Sequence, residues 1–196
     1  MKLLAVGLSI TLIPALLVGA QAVDLERFGW IAENIQSCSV RIFFEQPGSS
    51  FNSTEDAIIA ALDSACESVY VAMYVFSDDN LGRAVVRAAQ RGVTVRVLLD
   101  NSFAWLEYSE LWKLCEAHVP VRIVRHREFH HKFAVIDDIL VITGSYNWSD
   151  AADTRNWENT IFIWSRSIAA LFVKEFISIW EKYTDNPFGK VVTGCK

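Results

Sequence analysis

Two short segments of the sequence carry side chains that could bind an anion and attack it. His130 and Lys132 lie two residues apart, at the start of the apolar run 133–136. Side chains of a strand alternate with a period of two, so both groups should project from one face. Further along, Ser145 and Asn147 supply a hydroxyl and an amide. An imidazole beside an ammonium suits a site that binds an anion while the imidazole attacks it or transfers a proton.

The two polar segments are expected to meet at one edge of a β-hairpin. Asp138 lies between the apolar run 133–136 and a second run, 139–143, and acidic residues are common in turns. Pairing of the runs would bring the polar groups that flank them to the same edge. Taken alone, His130 would be an ordinary strand-end histidine and Lys132 an edge lysine that discourages aggregation. Their joint spacing with the second segment favours a site.

These segments resemble the signature of the phospholipase D superfamily, which is H-x-K, four residues, D, six residues and G-S-x-N. Every position of it is present, namely His130, Lys132, Asp137, Gly144, Ser145 and Asn147. The resemblance continues to Glu158 and Asn159 and extends weakly back to about Val40. It is greatest for single-motif members, the small exported Nuc-type endonucleases and the mitochondrial-type phospholipases D. Six fixed positions at defined spacing form a specific motif.

The resemblance implies a phosphodiester hydrolase that works through a phosphohistidine intermediate. His130 would attack phosphorus, and a second histidine would protonate the leaving alkoxide and then activate water. Lys132 would neutralise the phosphate oxygens, to which Ser145 and Asn147 would donate hydrogen bonds.

Two acidic residues complete the set of catalytic residues that the resemblance implies. Glu158 would orient the imidazole and favour its charged form. Asp137 fits a role in supporting the residues around the site better than a direct part in the reaction. No pair of carboxylates at ligand spacing lies near the motif, so we expect neither a metal ion nor another cofactor.

The implied mechanism needs two equivalent histidines, whereas the sequence contains one H-x-K. His118 and His126 lack a lysine two residues later, and His131 should point away from His130 along the strand. Single-motif relatives pair two chains about a twofold axis, and closed symmetric dimers are the commonest oligomers. The resemblance therefore implies a homodimer whose two motifs share one active site.

The alternation of strand and helix patterns predicts a one-domain α/β fold, with a mixed sheet flanked by helices on both faces. The runs 69–76 and 93–99 are continuously apolar, as in central strands. Further strands are expected at 40–44, 121–124 and 157–164. Helices are expected from Ser53, from Ser77 or Asp78 to Gln90, at 104–117 with Trp105 and Trp112 among its buried residues, and at 167–183. Asp100 and Asn101, which end a strand, are interpreted as turn formers.

The N-terminal segment predicts export. Residues 1–22 are typical of a secretory leader, with Lys2, an apolar stretch and an Ala-x-Ala cleavage site. Cleavage would give a periplasmic or secreted protein. The alternative is an uncleaved anchor that keeps the protein at a membrane, since about 20 apolar residues can just span a bilayer. We expect a short helix or linker at 23–38, the phospholipase D-like catalytic domain at 39–184 and a tail at 185–196.

Composition bears on the substrate. A formal charge of −5 counts against nucleic-acid binding. However, basic residues cluster around the motif and could steer a polyanion towards it. The alternative is that they are ordinary loop charges. The cluster consists of Arg122, Arg125, His126, Arg127, Lys132 and Arg155. The favoured hypothesis is a metal-independent endonuclease acting on DNA or RNA. The alternative is a phospholipase D that hydrolyses phospholipid head groups. A catalytically silent polyanion-binding module would not need a nucleophile.

The four cysteines show no metal-binding spacing. Cys66 and Cys115 fall on apolar faces of expected helices, where a buried thiol is the commoner outcome. If a disulfide forms, Cys38 and Cys195 are the better pair.

Overall fold

The computed structural model describes residues 38–48, 53–125 and 128–183, which form one α/β unit. The strands are β1 (Ser39–Glu45), β2 (Ser68–Met73), β3 (Thr94–Asp100), β4 (Val121–Val124), β5 (Lys132–Ile136), β6 (Leu140–Gly144) and β7 (Glu158–Trp164). The helices are α1 (Ser53–Ser64), α2 (Asp79–Gln90), α3 (Asn101–Ala104), α4 (Leu111–Glu116), α5 (Asp150–Thr154) and α6 (Arg166–Lys182).

The strands form a single mixed sheet in the order β1-β7-β6-β5-β2-β3-β4. The neighbours β2, β3 and β4 run parallel, and all other neighbouring pairs are antiparallel. The predicted hairpin is confirmed as β5 and β6. At its tip Asp137 and Asp138 both adopt φ +52°, the left-handed conformation that acidic residues tolerate in tight turns. The hairpin therefore brings the segments that precede β5 and follow β6 to one edge of the sheet.

The sheet separates two apolar cores. One core, with Ile58, Leu62 and Leu81 fully buried, lies between the sheet and helices α1, α2 and α4. The other lies under α6, which packs against strands β2, β5 and β6 and buries Phe176 and Trp180. The predicted arrangement, a mixed sheet with helices on both faces, is confirmed.

The helix expected at 104–117 is wrong in its extent, because the chain is interrupted between α3 and α4. The Glu110 N–H donates to the Phe76 carbonyl oxygen, at 3.0 Å. In a continuous helix at 104–117 it would instead donate to the Leu106 carbonyl oxygen. This long-range hydrogen bond after β2 overrides the local helical pattern. Trp112, which we expected on the buried side, is 39% exposed.

The interpretation of Cys66 as a buried helical residue is also wrong. Helix α1 ends at Ser64, and the thiol of Cys66 is exposed. Cys115 is buried in α4, as expected. The predicted leader, linker and tail, together with Cys195, lie outside the described residues apart from Cys38. Within the part of the chain that is described, no helix is long and apolar enough to cross a membrane.

Candidate active site

The imidazole of His130 and the ammonium of Lys132 are in direct contact. The Lys132 Nζ atom lies 3.2 Å from Nδ1 and 3.3 Å from Nε2 of His130, and it donates to the His130 carbonyl oxygen at 3.2 Å. His130 is exposed and Lys132 half-buried. Burial lowers the pKa of Lys132, and the negative charge of Glu158 offsets part of this effect. The prediction that both groups project together is confirmed.

Backbone hydrogen bonds fix the segment that carries His130. The buried carboxylate of Asp100, at the end of β3, accepts a hydrogen bond from the Phe129 N–H at 2.8 Å. On the other side of His130, the His131 carbonyl oxygen accepts from the Tyr74 N–H at 2.9 Å. Asp100 also accepts from the Ser102 N–H, at 2.7 Å. It is therefore the turn former that the sequence predicted, and it also holds the loop before the histidine.

The Gly-Ser-x-Asn segment joins the same edge because β6 and β7 approach very closely at Gly144. A Cβ atom placed on Gly144 would lie 2.0 Å from the Asn159 carbonyl oxygen. That carbonyl accepts a hydrogen bond from the Ser145 N–H at 3.0 Å, and the Ser145 Oγ accepts from the Asn159 N–H, also at 3.0 Å. Only glycine fits at position 144, and it places the exposed Ser145 hydroxyl beside the start of β7.

Glu158 binds the residues around it at the start of β7. It accepts hydrogen bonds from the Ser145 hydroxyl and, at 2.9 Å, from the Asn156 side-chain amide. Its charge also favours the charged form of Lys132. These contacts place Glu158 within the site, where the sequence predicted it. None of these contacts is to the His130 ring, so the orienting role expected of Glu158 stays a prediction.

Asn147 connects the second segment to the end of β2. Its side-chain oxygen accepts a hydrogen bond from the Val75 N–H at 3.3 Å, which leaves the amide N–H groups to act as donors. The next residue, Trp148, is buried, and its carbonyl oxygen accepts from the N–H groups of Ser77 and Asp78 at 2.8 and 3.0 Å. The loop is thereby held against the chain that enters α2.

Asp137 is the one motif residue that the structure does not bring to the site. It follows β5, whereas Lys132 begins that strand, so about 16 Å of extended chain separates them. Its carboxylate accepts hydrogen bonds from the N–H groups of Cys66, Glu67 and Ser68 at 3.0, 2.7 and 2.9 Å. Burial alone would raise the pKa of Asp137, but these three donors outweigh burial and lower it. Asp137 anchors the entry to β2.

The other described histidines lie apart from His130. The His131 ring packs between Phe129 and Phe133, and its Nε2 atom lies 3.5 Å from a carboxylate oxygen of Glu175 on α6. It therefore points away from His130, as expected. His118 lies in the turn after α4, with φ +58°. Neither could serve as the second histidine of the same site.

The predicted basic cluster is wrong in part. The Arg122 guanidinium packs over the Trp180 ring, 4.1 Å from its centroid, and donates to the Trp180 carbonyl oxygen. Arg155 lines a cavity of about 550 Å³ whose walls also carry Glu55, Asp78 and Asp153. Burial raises the pKa of all three carboxyl groups. This acidic cavity does not include His130 and is unsuited to a phosphodiester. His126 and Arg127 lie outside the described residues.

Sequence reasoning missed Tyr74 as a member of the site. The centroids of the Tyr74 and His130 rings are 4.3 Å apart, and the Lys132 Nζ atom lies 4.9 Å from the Tyr74 ring centroid. The sequence placed Tyr74 inside an apolar strand, and nothing local to it indicates a site. The contact depends on the antiparallel pairing of β2 with β5, in which Met73 faces Lys132.

A mixed sheet that presents His-x-Lys and Gly-Ser-x-Asn segments at one edge defines a phospholipase D-like protein. Residues 58–180 match the family model described as cardiolipin synthase, PLD-like domain. The chain therefore belongs to the phospholipase D-like family, which confirms the resemblance drawn from its motif.

Several members of known sequence or structure are similar to the chain. Mitochondrial cardiolipin hydrolase of Mus musculus is 38% identical over 127 residues, which are 64% of this chain and 58% of that protein. Phospholipase D of Rickettsia prowazekii is 38% identical over 130 residues, which are 66% of this chain and 62% of that protein. The crystal structure of Nuc from Salmonella typhimurium, a phospholipase D family member, gives a TM-score of 0.68 at 28% identity and covers 74% of this chain and 95% of Nuc. The chain thus spans about three-fifths of the length of these two curated relatives.

Proposed function

We propose that the protein hydrolyses phosphodiesters through a covalent phosphohistidine, without a metal ion. The observation that carries this proposal is the Lys132 ammonium, which lies within 3.3 Å of both ring nitrogens of His130 at the edge shared with Ser145 and Asn147. A nucleophile, a fixed positive charge and two groups able to donate hydrogen bonds are what attack on an anionic phosphorus centre requires.

In the first step a ring nitrogen of His130 forms a bond to phosphorus as the bond from phosphorus to the leaving oxygen breaks. A second imidazole gives that oxygen its proton, and an alcohol departs. In the second step the same imidazole removes a proton from water, whose oxygen attacks phosphorus and releases His130. Lys132 offsets the negative charge on the phosphoryl oxygens in both steps. Without it, repulsion between this charge and the attacking group would make both steps slow.

The second imidazole comes, in this proposal, from a partner copy of the chain. The described part of the chain offers no other histidine at the site, because His118 and His131 lie elsewhere. A twofold dimer would place two copies of His130 face to face, with one acting as nucleophile and the other as acid and base. The site is then shared, and each chain alone is incomplete.

Nucleic acid is the favoured substrate. Aromatic rings lie close to the nucleophile, with Phe103 in edge contact with Tyr74 at 4.8 Å, and exposed rings follow at Tyr108 and Trp112. Aromatic side chains beside a positively charged phosphate site suit single-stranded nucleic acid, whose bases can stack on them. In this reading the protein is exported after removal of its leader.

Phospholipid is the second candidate, and a surface feature favours it. Val40, Ile42 and Phe44 alternate along the edge strand β1 and are 50%, 53% and 72% exposed, and Trp157 is 74% exposed. Phe44 pairs with Asn159, beside Ser145. An exposed apolar patch that reaches the site could rest on a bilayer, and an uncleaved N-terminal segment would anchor it there. The names of the relatives from Mus musculus and Rickettsia prowazekii point the same way.

The test compares the purified protein with its His130→Ala variant, in excess chelator, on single-stranded DNA and on phospholipid vesicles. His118→Ala is the matched control, because that histidine is exposed and distant from the site. We expect cleavage by the wild type and the control but not by His130→Ala. Cleavage of DNA alone supports the first candidate, and head-group release alone supports the second. Turnover that survives loss of His130, or that requires added Mg²⁺ or Zn²⁺, would overturn the mechanism.

Co-expression tests the shared site. Random pairing of equal amounts of wild-type and His130→Ala chains should leave about a quarter of the wild-type activity if each site needs both histidines. Independent monomers would leave about half. A strictly monomeric active protein in light scattering at the assay concentration would rule out the shared site.

A further inference from the structure

Tyr74 packs directly against the proposed nucleophile. It follows β2, and its ring lies 4.3 Å, centroid to centroid, from the His130 ring at an interplanar angle of 57°. Its backbone N–H donates to the His131 carbonyl oxygen, and its ring also contacts the Phe103 ring, with the centroids 4.8 Å apart. The backbone hydrogen bond and the second aromatic contact fix the Tyr74 ring, which in turn restricts the rotation of the imidazole.

The same ring also faces the Lys132 ammonium. The Nζ atom lies 4.9 Å from the Tyr74 centroid, within the range in which the negative face of an aromatic ring attracts a cation. A lysine side chain has four rotatable bonds and would otherwise sample many positions. Contact with Tyr74 keeps its charge beside both ring nitrogens of His130.

The ring, and not the hydroxyl group, makes these contacts. Burial raises the pKa of Tyr74, and the charges of Glu128 and Asp100 raise it further. The phenol therefore stays protonated and uncharged near neutral pH. A phenylalanine at this position would keep the contacts with His130 and Lys132.

We propose that Tyr74 is a positioning residue of the active site, whose ring holds the His130 imidazole and the Lys132 ammonium in the arrangement from which the imidazole attacks phosphorus. This role rests on the proposed phosphohistidine reaction. Loss of the Tyr74 ring should therefore slow the chemical step, because a small misplacement of a reacting group lowers the rate strongly. It should change substrate affinity only slightly.

The test uses bis(p-nitrophenyl) phosphate, a diester with neither a nucleobase nor a lipid chain, and three variants of the full chain. Tyr74→Leu removes the ring and Tyr74→Phe keeps it. Tyr70→Leu is the matched control, because Tyr70 lies in β2, four residues before Tyr74, but packs against Phe176 on α6, at 5.2 Å. We expect Tyr74→Leu to lower kcat about 10- to 100-fold with KM changed less than about threefold. Tyr74→Phe should restore kcat to within about threefold of the wild type, and Tyr70→Leu should keep it there.

A second readout does not depend on turnover. In the wild type, NMR should detect cross-relaxation between the His130 and Tyr74 ring protons and a ring-current shift of the His130 protons. This shift should persist in Tyr74→Phe and disappear in Tyr74→Leu. Absence of the contact in solution overturns the inference, as does an unchanged kcat in Tyr74→Leu when turnover depends on His130. Turnover that does not depend on His130 overturns the proposed function instead, and the NMR signals then still report whether Tyr74 holds the imidazole.

Discussion

The hydroxyl group of Ser145 donates a hydrogen bond to the carboxylate of Glu158, across the junction between β6 and β7. The amide of Asn156 donates to the same carboxylate at 2.9 Å. Two donors fix the position of this negative charge, and the charge favours the protonated form of Lys132. A residue of the Gly-Ser-x-Asn segment thus influences the lysine of the H-x-K segment through Glu158.

This relationship predicts how activity depends on pH. Burial lowers the pKa of Lys132, and only the charged ammonium can neutralise phosphate. The charged form exists below the pKa, so kcat/KM should fall as pH rises through a value under the ordinary lysine pKa of about 10.4. Glu158→Gln removes the charge that favours the ammonium and should move this alkaline limb to lower pH. The measurement is a pH profile of both proteins.

Lys132→Arg is the control for that assignment. A guanidinium stays charged throughout the accessible pH range, so the variant should lose the alkaline limb even if its activity is reduced. An unchanged limb in Lys132→Arg would assign the titration to another group. A limb that Glu158→Gln leaves in place would mean that Glu158 does not act on the lysine.

Because β6 and β7 approach each other closely, a single methyl group added at Gly144 should strongly destabilise the protein. In Gly144→Ala the new Cβ would meet the Asn159 carbonyl oxygen, which is backbone and cannot rotate away. We expect the free energy of unfolding to fall by about 2–4 kcal/mol, with loss of activity, because the strands must separate at Ser145. Urea denaturation at constant m-value measures the loss.

Gly48→Ala separates this clash from the general cost of replacing glycine. A methyl group added to Gly48 would have no atom within 4 Å, although the φ of +77° at this position disfavours alanine. Its substitution should cost about 1 kcal/mol and leave activity intact. Equal losses of unfolding free energy in the two variants would show that the clash with Asn159 is not the reason why position 144 requires glycine.

The features that the sequence predicted well depend on local patterns. The two-residue spacing of His130 and Lys132, the turn at Asp138 and the apolar runs of the central strands each follow from strand periodicity and turn chemistry. These patterns, with the phospholipase D resemblance, were sufficient to place the two halves of the site at one edge of the sheet.

The features that the sequence did not predict depend on partners that are distant along the chain. Tyr74 reaches His130 only because β2 pairs with β5. The predicted helix at 104–117 is interrupted where the Glu110 N–H donates to the Phe76 carbonyl oxygen. Arg122, expected beside the motif, packs on Trp180 of α6 instead. In each case a tertiary contact outweighs a local preference or supplies a role that no local pattern indicates.

Asp137 allows the structural part of the motif to be separated from its chemistry. Its carboxylate accepts hydrogen bonds from three backbone N–H groups before β2, and its pKa is lowered because these donors outweigh burial. Asp137→Ala leaves the donors without this partner and should lower the free energy of unfolding by about 1.5–3 kcal/mol at pH 7. Because Asp137 lies at the far end of β5, kcat of the folded variant should change less than about threefold.

Asp138→Ala is the matched control, because Asp138 has the same φ of +52° and its side chain is exposed. Both variants carry the same backbone strain, so the difference between them isolates the three hydrogen bonds. The folded pKa of Asp137 lies below the unfolded value of about 3.9, so its contribution is fully present above that pH and is lost as pH falls through the folded pKa. The difference between the variants should therefore shrink below about pH 4. A difference that persists in acid, or a loss of kcat at pH 7 in fully folded Asp137→Ala, would instead place Asp137 in the chemistry.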